Sequence, residues 1–508
     1  MELFLLSSSY YFYPCALLIS TLLTTATTTP MANFRFLLFC LLLLCIYNYR
    51  VSPVTVVKHL PGFDGPLPFY LETGYMLVDE VNGGELFYYF VESEGKPAED
   101  PVLLWLTGGD RCSAFSGLVY EIGPIRFVKA LYNGSIPQLE YHPFGYTKYA
   151  NVIFLDAPLG AGFSYSLNPK GYEVGDITTS MQIHKFLIQW FGDHPQYLSN
   201  SLYIGGDSYA GKTAPFIAQL VSEGNEAGQQ PLLKLKGYLV GNPGTGENFY
   251  DVNYQVPYAH GVGIISDQLF ELIQRSCKGQ DYTNPNKVLC AEALEVFSKL
   301  TFEEGGAHIL EPICILVSPH PGTNGNRRFL KDDFVWFSKP EEPPFYCRSY
   351  GYYLSYFWAN DNSTREALGI KKGTVDEWLR CRSLPYKVDI QSSIKYHLNL
   401  TSRGFRALVY SGDHDLLVPF LGTQAWVRSL NFSVVDGWRA WHVDGQTGGE
   451  VDTLLLSINQ KNAWPCLDGG FQINLCKNKV SMGLVNSLNE FIIITIKCIE
   501  SVSSEKTN

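Results

Sequence analysis

The chain has 508 residues, of which 46% are hydrophobic and 17% are charged, and its formal net charge at pH 7 is −11. This apolar composition supports a large buried core and excludes an intrinsically disordered chain. The acidity, and a sequence without a lysine- or arginine-rich stripe, argue against a nucleic-acid partner.

The first 50 residues have the features of a targeting segment. Arg35 precedes an apolar run over 36–46, which has the length of a signal-peptide core and is short for a membrane span. We therefore predict a leader over 1–50, made of an upstream extension, 1–30, and a signal peptide that starts at Met31. A membrane anchor is the alternative, because residues 10–23 form a second apolar stretch.

The cysteines and glycosylation sequons agree with a secretory compartment. Nine of the 12 cysteines follow the leader, and no two have the Cys-x-x-Cys spacing of a zinc or redox site. We therefore predict disulfide bonds, no metal or other cofactor, and no stable membrane span once the leader is removed. Four sequons predict N-glycosylation, at Asn133, Asn362, Asn399 and Asn431.

Predicted strands and helices alternate after the leader. A hairpin over 75–92 comes first, with its turn at Asn82-Gly-Gly. Continuous apolar runs, which are typical of strands buried on both faces of a parallel sheet, follow it. They lie at 101–106, 151–156 and 237–240, with helical spacing over 178–191 and 214–220 between the last two. This alternation predicts an α/β fold with a mostly parallel central sheet.

The pattern changes at Asn242, where cysteines and prolines become frequent, and a buried-strand run returns only at 406–410. We therefore predict a core in two parts interrupted by an insertion that lies over the sheet, followed by a tail that fits no pattern. The first part of the core covers 60–241, the insertion 242–389, the second part 390–446 and the atypical tail 447–508.

Ser208 is the first candidate for chemistry. It follows a short strand pattern at 202–204 and precedes a predicted helix, within Gly-Asp-Ser-Tyr-Ala-Gly at 206–211. A serine on a tight strand-to-helix turn needs small neighbours, as Gly206 and Ala210 are, and this is the pattern of a nucleophile elbow. The alternative is an ordinary turn residue or helix cap.

Three further segments combine with this one. They are Trp-Leu-Thr-Gly-Gly at 105–109 with Cys-Ser-Ala-Phe-Ser at 112–116, Asp-Ala-Pro-Leu-Gly-Ala-Gly-Phe-Ser-Tyr at 156–165, and Tyr-Ser-Gly-Asp-His-Asp at 410–415. In this order the chain resembles the serine carboxypeptidase family, from about residue 60 to about 446. The resemblance implies an α/β-hydrolase fold with a disulfide-tied helical insertion, or cap. From the leader, the sequons and the acidic composition we predict a place in the secretory pathway, outside the cell or in the vacuole.

The resemblance also implies roles for single residues. Ser208 would be the nucleophile, Asp415 the carboxylate that orients a histidine, and the N–H groups of Gly109 and Tyr209 the oxyanion hole. Without the resemblance, Gly109 is a strand-ending turn and Asp415 a solvated loop acid, and we expect Asp413 to cap the turn. The implied disulfide pairs are Cys112–Cys381, Cys277–Cys290 and Cys314–Cys347.

Thr107, Gly108 and Asp207 form the predicted substrate-binding group. Family peptidases have Asn and Glu where this chain has Thr107 and Asp207, and use them to bind the free carboxylate of a peptide; the replacements weaken both contacts. The chain is thereby similar to the plant serine carboxypeptidase-like acyltransferases, which move an acyl group from an acyl-glucose ester through an acyl-serine to an alcohol or amine. We predict acyl transfer between a small-molecule donor and acceptor, with C-terminal exopeptidase action on peptides as the alternative.

Two departures from the family pattern affect this hypothesis. Arg111 stands where the family has a glycine, and we expect its side chain to disturb the oxyanion hole. The family's triad histidine is missing, because residues 450–508 contain no histidine. We interpret His414 as a turn residue and His442 as a residue packed at the sheet surface. A catalytically inactive binding protein is therefore a third alternative.

Overall fold

The computed structural model describes residues 54–109, 111–302, 308–311, 342–443, 446–455, 470–472, 481–483 and 491–496, with side chains up to residue 440 except 302, 435, 436 and 438. The predicted leader, Asp110, Cys314 and the side chain of His442 lie outside this description. The described residues form one sheet of twelve strands and three sheets of two strands.

The strands, in chain order, are β1 (Val54–Val57), β2 (Leu71–Asp79), β3 (Gly84–Val91), β4 (Val102–Leu106), β5 (Ile125–Phe127), β6 (Leu139–Tyr141), β7 (Asn151–Asp156), β8 (Tyr165–Ser166), β9 (Val174–Gly175), β10 (Leu202–Asp207), β11 (Leu235–Gly241), β12 (Tyr386–Lys387), β13 (Arg406–Gly412), β14 (Ser433–Val443), β15 (Gln446–Leu455), β16 (Gly470–Gln472), β17 (Ser481–Gly483) and β18 (Phe491–Ile496). The main sheet has the order β1-β2-β3-β7-β4-β10-β11-β13-β18-β15-β14, and β8 pairs with β3.

The centre of the main sheet is parallel, as the apolar runs predicted. Strands β7, β4, β10, β11, β13 and β18 pair side by side in parallel. Antiparallel pairs extend both edges, and the predicted hairpin is confirmed as β2 and β3. Because the carboxyl ends of parallel strands meet at one edge, residues after β4, β10, β11 and β13 come together there.

The helices are α1 (Asp176–Asp193), α2 (Ala210–Glu226), α3 (Asn248–Asp251), α4 (Gln255–Gly261), α5 (Asp267–Ser276), α6 (Val288–Phe302), α7 (Ser349–Asn360), α8 (Asn362–Ala367), α9 (Ile394–Ser402) and α10 (Phe420–Ser429). One turn of π-helix spans Gly117–Glu121. The predicted helices at 178–191 and 214–220 are confirmed as α1 and α2, and both start earlier than the apolar spacing indicated.

Hydrophobic cores lie on both faces of the sheet. Strand β4 shows why its sequence is apolar throughout. Leu103 and Trp105 pack into one core, whereas Val102, Leu104 and Leu106 pack into the other. Alternate residues of one strand thus serve opposite faces, as expected for a strand covered on both sides.

The predicted insertion packs in two places. Helices α4–α6 form a separate core with Leu416. Helix α7 instead packs on one face of the main sheet, where Tyr350, Tyr353 and Trp358 join the core that contains Leu103 and Trp105. We retain the predicted domain boundaries as a proposal, with the insertion divided between a cap and a layer under the sheet.

The apolar run that sequence patterns could not place is strand β18. It pairs in parallel with β13, with Ala407 opposite Phe491, and antiparallel with β15. Part of the predicted tail therefore extends the main sheet beyond the strand that carries Asp415.

The structure contains the predicted disulfide bonds Cys112–Cys381 and Cys277–Cys290. Cys347 is also disulfide-bonded, and its predicted partner Cys314 is not among the described residues. The first bond connects segments 269 residues apart, so it ties the loop after β4 to the end of the insertion.

The four predicted glycosylation sites differ in exposure. Asn133, Asn362 and Asn431 are exposed, whereas Asn399 is half-buried and donates from Nδ2 to Gln219 Oε1 at 3.1 Å. Glycosylation stays a prediction, and Asn399 is the least accessible of the four. In the part of the chain described, no helix is both long and apolar enough to cross a bilayer.

Candidate active site

Ser208 lies in a strained turn between β10 and α2. Its φ is 53°, in the left-handed region that costs a residue with a Cβ about 1–2 kcal/mol. The turn needs a glycine at 206, because a Cβ there would lie 2.3 Å from the carbonyl oxygen of Leu106 and 2.5 Å from Ala210 Cβ. Ser208 is partly exposed. These features match the predicted nucleophile elbow.

The two predicted oxyanion donors flank this turn. Gly109 has a φ of 90°, and a Cβ there would lie 2.5 Å from Cys112 Sγ. Glycine is therefore required by the loop and its disulfide. Tyr209 is the N-cap of α2, where the helix dipole favours negative charge. A Cβ on Gly108 would lie 2.8 Å from Ser208 Cβ, so the two loops meet at the serine.

Arg111 is buried, with 1% of its surface exposed. Its Nη2 donates to the carbonyl oxygens of Tyr172, at 3.3 Å, and Pro385. Its guanidinium also lies over the ring of Tyr386, 5.4 Å from the ring centre. The side chain is thus held by two neighbouring loops, which shows how the fold accommodates an arginine in place of the family's glycine.

Asp415 stands in the turn after β13. Its Oδ2 accepts a hydrogen bond from Asn242 Nδ2 at 2.9 Å, and its Oδ1 accepts from the N–H groups of Leu417 and Val418 at 2.8 and 3.0 Å. Burial raises the pKa of Asp415 to about 6, although these bonds favour the ionised form. Asp415 thus caps the turn that follows it with one oxygen, a role that we expected of Asp413, and keeps the other oxygen for Asn242.

Among the side chains that the structure describes, no histidine completes the predicted triad. His414 places Nε2 3.8 Å from Asp413 Oδ1, and its ring packs edge-on to His308 at 5.2 Å. Within the described residues, no histidine ring is hydrogen-bonded to Asp415 or Ser208. His442 belongs to strand β14, opposite Thr447, and its side chain is not described.

A pair of carboxyl groups adjoins the elbow. Asp207 Oδ1 accepts from the N–H of Gly108 at 2.8 Å, and Glu121 Oε2 accepts from Trp105 Nε1 at 2.7 Å. Burial raises the pKa of both acids, and the charge of Asp207 raises that of Glu121 further. Thr107 Oγ1 donates to Glu121 Oε2 at 3.5 Å and accepts from the N–H of Gly117 at 3.1 Å.

Arg380 supplies a positive charge beside this pair. Its charge favours the ionised forms of Glu121 and Asp207. Its Nε donates to Ser116 Oγ at 3.0 Å, and its Cζ lies 3.8 Å from the ring centre of Tyr352. A stacked and hydrogen-bonded guanidinium is well suited to bind an oxygen-rich group.

The structure thus brings Ser208, Gly109, Tyr209, Thr107, Gly108 and Asp207 together at one edge of the sheet. Sequence reasoning missed Glu121, Arg380 and Asn242. Glu121 lies in a π-helical turn 14 residues after Thr107, and nothing local marks it as a site residue. Asn242 carried a readable signal, since it directly follows a predicted central strand.

Comparisons with known proteins agree with this architecture. The serine carboxypeptidase family matches residues 61–463. Serine carboxypeptidase-like 19 of Arabidopsis thaliana is 45% identical over 446 residues, which cover 87% of this chain and 95% of that protein. Serine carboxypeptidase-like 11 of the same plant is 45% identical over 415 residues, covering 81% and 89%.

A solved structure shows the same fold. The prohormone-processing carboxypeptidase Kex1(delta)p of Saccharomyces cerevisiae aligns with a TM-score of 0.61 at 17% identity, over 87% of this chain and 91% of that one. The fold is therefore the predicted α/β-hydrolase fold. With the family match over most of its length, the chain belongs to the serine carboxypeptidase family.

Proposed function

We propose that the site carries out acyl transfer through an acyl-serine formed on Ser208. The serine oxygen would attack an ester carbonyl, and the N–H groups of Gly109 and Tyr209 would stabilise the negative charge on its oxygen. The bond between the carbonyl carbon and the leaving oxygen then breaks, the leaving alcohol takes up the proton that Ser208 gave up, and the acyl group stays on Ser208. A second alcohol or amine attacks this acyl-serine, the bond between the acyl carbon and the serine oxygen breaks, and the acceptor's proton returns to Ser208.

The contacts of Thr107 and Asp207 carry the preference for acyl transfer. Thr107 accepts from the N–H of Gly117, and Asp207 accepts from that of Gly108. Both side chains are thus engaged with protein amides at the positions where family peptidases bind a free peptide carboxylate. An acyl-glucose ester has no such carboxylate, so the loss of these contacts does not affect it.

C-terminal peptide hydrolysis is the second candidate. The raised pKa values of Glu121 and Asp207 favour their protonated forms, and a protonated carboxyl can donate to a substrate carboxylate. Such binding would strengthen as the pH falls. Arg380 beside the pair would add attraction for the same group.

Turnover depends on a group that takes the proton of Ser208. Because no histidine side chain among those described is hydrogen-bonded to Asp415, we propose that this chain reacts slowly or serves as a binding protein. Loss of the histidine of a serine triad lowers turnover by about a millionfold. We place its action in the secretory pathway, outside the cell or in the vacuole, which the disulfide bonds support.

The test compares two substrates on the same protein. Purified protein is incubated with a phenolic acyl-glucose ester plus an alcohol acceptor, and separately with a blocked dipeptide, with Ser208→Ala as control. Transfer of the ester's acyl group without peptide cleavage supports the proposal. Peptide cleavage without ester use overturns it and supports the second candidate.

A second experiment addresses the missing base. A fluorophosphonate labels a serine only when its proton is removed, so we expect slow labelling of Ser208 that speeds up at least tenfold with added imidazole. Fast labelling without imidazole would show that the chain supplies its own base. No labelling under either condition, with ester bound but not consumed, would support the binding protein.

A further inference from the structure

Backbone strain marks two neighbouring strand ends. Among the described residues, three non-glycine residues have positive φ, namely Ser208 at 53°, Asn242 at 40° and Asn431 at 57°. Asn431 follows Leu430, the C-cap of helix α10, and a left-handed asparagine is ordinary at that position. Asn242 follows strand β11, which lies between the strands of Ser208 and Asp415. Strain at such a place points to a constraint on the side chain.

The Asn242 amide is fixed from both ends. Its Nδ2 donates to Asp415 Oδ2 at 2.9 Å, and its Oδ1 accepts from the N–H of Gly412 at 3.2 Å. Nδ2 also lies 3.4 Å from Ser411 Oγ. Of the described side chains, Asn242 alone donates to Asp415, since the other two donors are backbone N–H groups.

The backbone around Asn242 holds the nucleophile turn as well. The N–H of Ser208 donates to the Gly241 carbonyl at 2.8 Å, and the N–H of Gly244 donates to the Ser208 carbonyl at 3.0 Å. The N–H of Asn242 donates to the Tyr410 carbonyl at 2.8 Å. The segment 241–244 is therefore bonded to both strand ends that carry the proposed site.

We infer that Asn242 is a positioning residue, which orients Asp415 and keeps its carboxylate at a fixed place relative to Ser208. The left-handed backbone brings the short amide within reach of both Asp415 and Gly412. The inference rests on the proposed function, because orienting Asp415 serves the chemistry only if Ser208 is the nucleophile. The bond between Asn242 and Asp415 can nevertheless be tested without activity.

The test uses Asn242→Gly, which suits a positive φ and removes the whole side chain with its amide. Asn431→Gly is the matched control, because it makes the same change at a positive φ in a residue that does not donate to Asp415; both proteins are deglycosylated first. Without its donor the Asp415 pKa should rise further. The Tm deficit of Asn242→Gly should then grow by about 1–2 °C between pH 5 and pH 7.5.

Asn242→Gly is also made in an Asp415→Asn background. This comparison separates the Tm change caused by the bond between Asn242 and Asp415 from any change caused by neighbouring titratable groups. Among the described residues, Arg348, Tyr258, Asp413 and His414 are charged or titratable groups near Asp415, and they are unchanged in every variant. We expect the pH-dependent part of the deficit to vanish in that background. A deficit equal at both pH values, with or without Asp415, would overturn the inference.

If Asn242→Gly does not fold, Asn242→Asp replaces it. A carboxylate of the same shape would put two acids in contact, so its Tm deficit should grow with pH even more steeply. Labelling of Ser208 by fluorophosphonate in the presence of imidazole gives an independent readout, and it should slow about tenfold in Asn242→Gly only. If the parent shows no labelling, the proposed function fails while the Tm comparison still decides the role of Asn242.

Discussion

Ser208 and Asp415 stand at the ends of β10 and β13, and the chain around each is held differently. The nucleophile half is fixed by backbone geometry, through the strained φ of Ser208 and the close contacts around Gly206 and Gly109. The acid half is fixed by hydrogen bonds to a buried carboxyl group, from Asn242 and two turn amides. The structure of the nucleophile half should therefore be sensitive to substitutions that add or remove atoms. The structure of the acid half should be sensitive to protonation of Asp415.

The largest expected effect comes from removing the hydroxyl of the nucleophile half. Ser208→Ala should abolish fluorophosphonate labelling and lower any acyl transfer by up to about a millionfold, while Tm changes little. Ser222→Ala, a buried serine on α2, is the control and should keep the parent's labelling. Labelled Ser208→Ala protein in mass spectrometry would show that another residue is the nucleophile.

The next largest effect tests the buried ion pair of Asp176 and Lys212, which lies next to the nucleophile turn. Asp176 is fully buried and accepts from Tyr209 Oη at 2.6 Å, Lys212 Nζ at 3.1 Å and the N–H of Ile390 at 2.9 Å. Lys212 is also buried, so losing its partner leaves an uncompensated charge. Asp176→Asn should reduce the free energy of unfolding by about 3–5 kcal/mol, measured by thermal or denaturant unfolding.

The double variant Asp176→Asn with Lys212→Met distinguishes charge from packing. It removes both charges, so most of the lost stability should return. The exposed pair Lys96–Glu99 is the control, and Glu99→Gln there should cost less than about 1 kcal/mol. Equal losses in the single and double variants would contradict the ion-pair explanation.

The two halves also differ in how much the sequence reveals. Glycines and a serine in a short segment specify the elbow locally, so Ser208, Gly206 and Gly109 could be read before the structure. Continuous apolar runs likewise predicted β4, β7 and β13, because burial on both faces requires them. The roles of Asp415 and its neighbours depend on contacts between distant segments, such as Asn242 with Asp415, which no spacing encodes.

Strand β18 and Glu121 show the same limit. The run at Phe491–Ile496 has the composition of a strand, but its place beside β13 depends on pairing with β15, which the sequence does not specify. Glu121 becomes a site residue only when the π-helical turn brings it to Trp105 and Thr107. Local signals thus predict the elements, and long-range packing decides which acids face the site.

A pH series tests whether protonation affects stability only through Asp415 in the acid half, or also through Asp156, which contacts the loop after β4 in the nucleophile half. Asp156, which accepts from Ser113 Oγ and the Ala114 N–H next to the Cys112 disulfide, has its pKa raised to about 7 by burial. Because the pKa of Asp156 is higher in the folded state than in the unfolded state, the contribution of Asp156 to the free energy of unfolding is fully present below about pH 4. It is lost as the pH rises through about 7. The loss should reach up to about 4 kcal/mol for Asp156.

The measurement is Tm from pH 4 to pH 8 in the parent and in Asp156→Asn. Ionisation of Asp156 should lower the stability of the parent as the pH rises across this range, and the variant should lose less stability because residue 156 no longer titrates. Asp415→Asn should flatten a smaller part of the curve of Tm against pH, between about pH 4 and 6. Parallel curves for the parent and Asp156→Asn would show that residue 156 stays ionised.

The smallest expected effect concerns Arg111, where the nucleophile half departs from its family. Its guanidinium donates to the carbonyl oxygens of Tyr172 and Pro385, so Arg111→Ala should lower the free energy of unfolding by about 1–3 kcal/mol. Arg126→Ala, at an exposed ion pair with Glu140, should cost less than about 1 kcal/mol. Because the Arg111 side chain is held by those carbonyls, imidazole-assisted labelling of Ser208 should change less than twofold in Arg111→Ala. A large increase in labelling would instead mean that the arginine distorts the oxyanion hole, as the sequence alone suggested, and that the nucleophile half is restrained by a side chain as the acid half is.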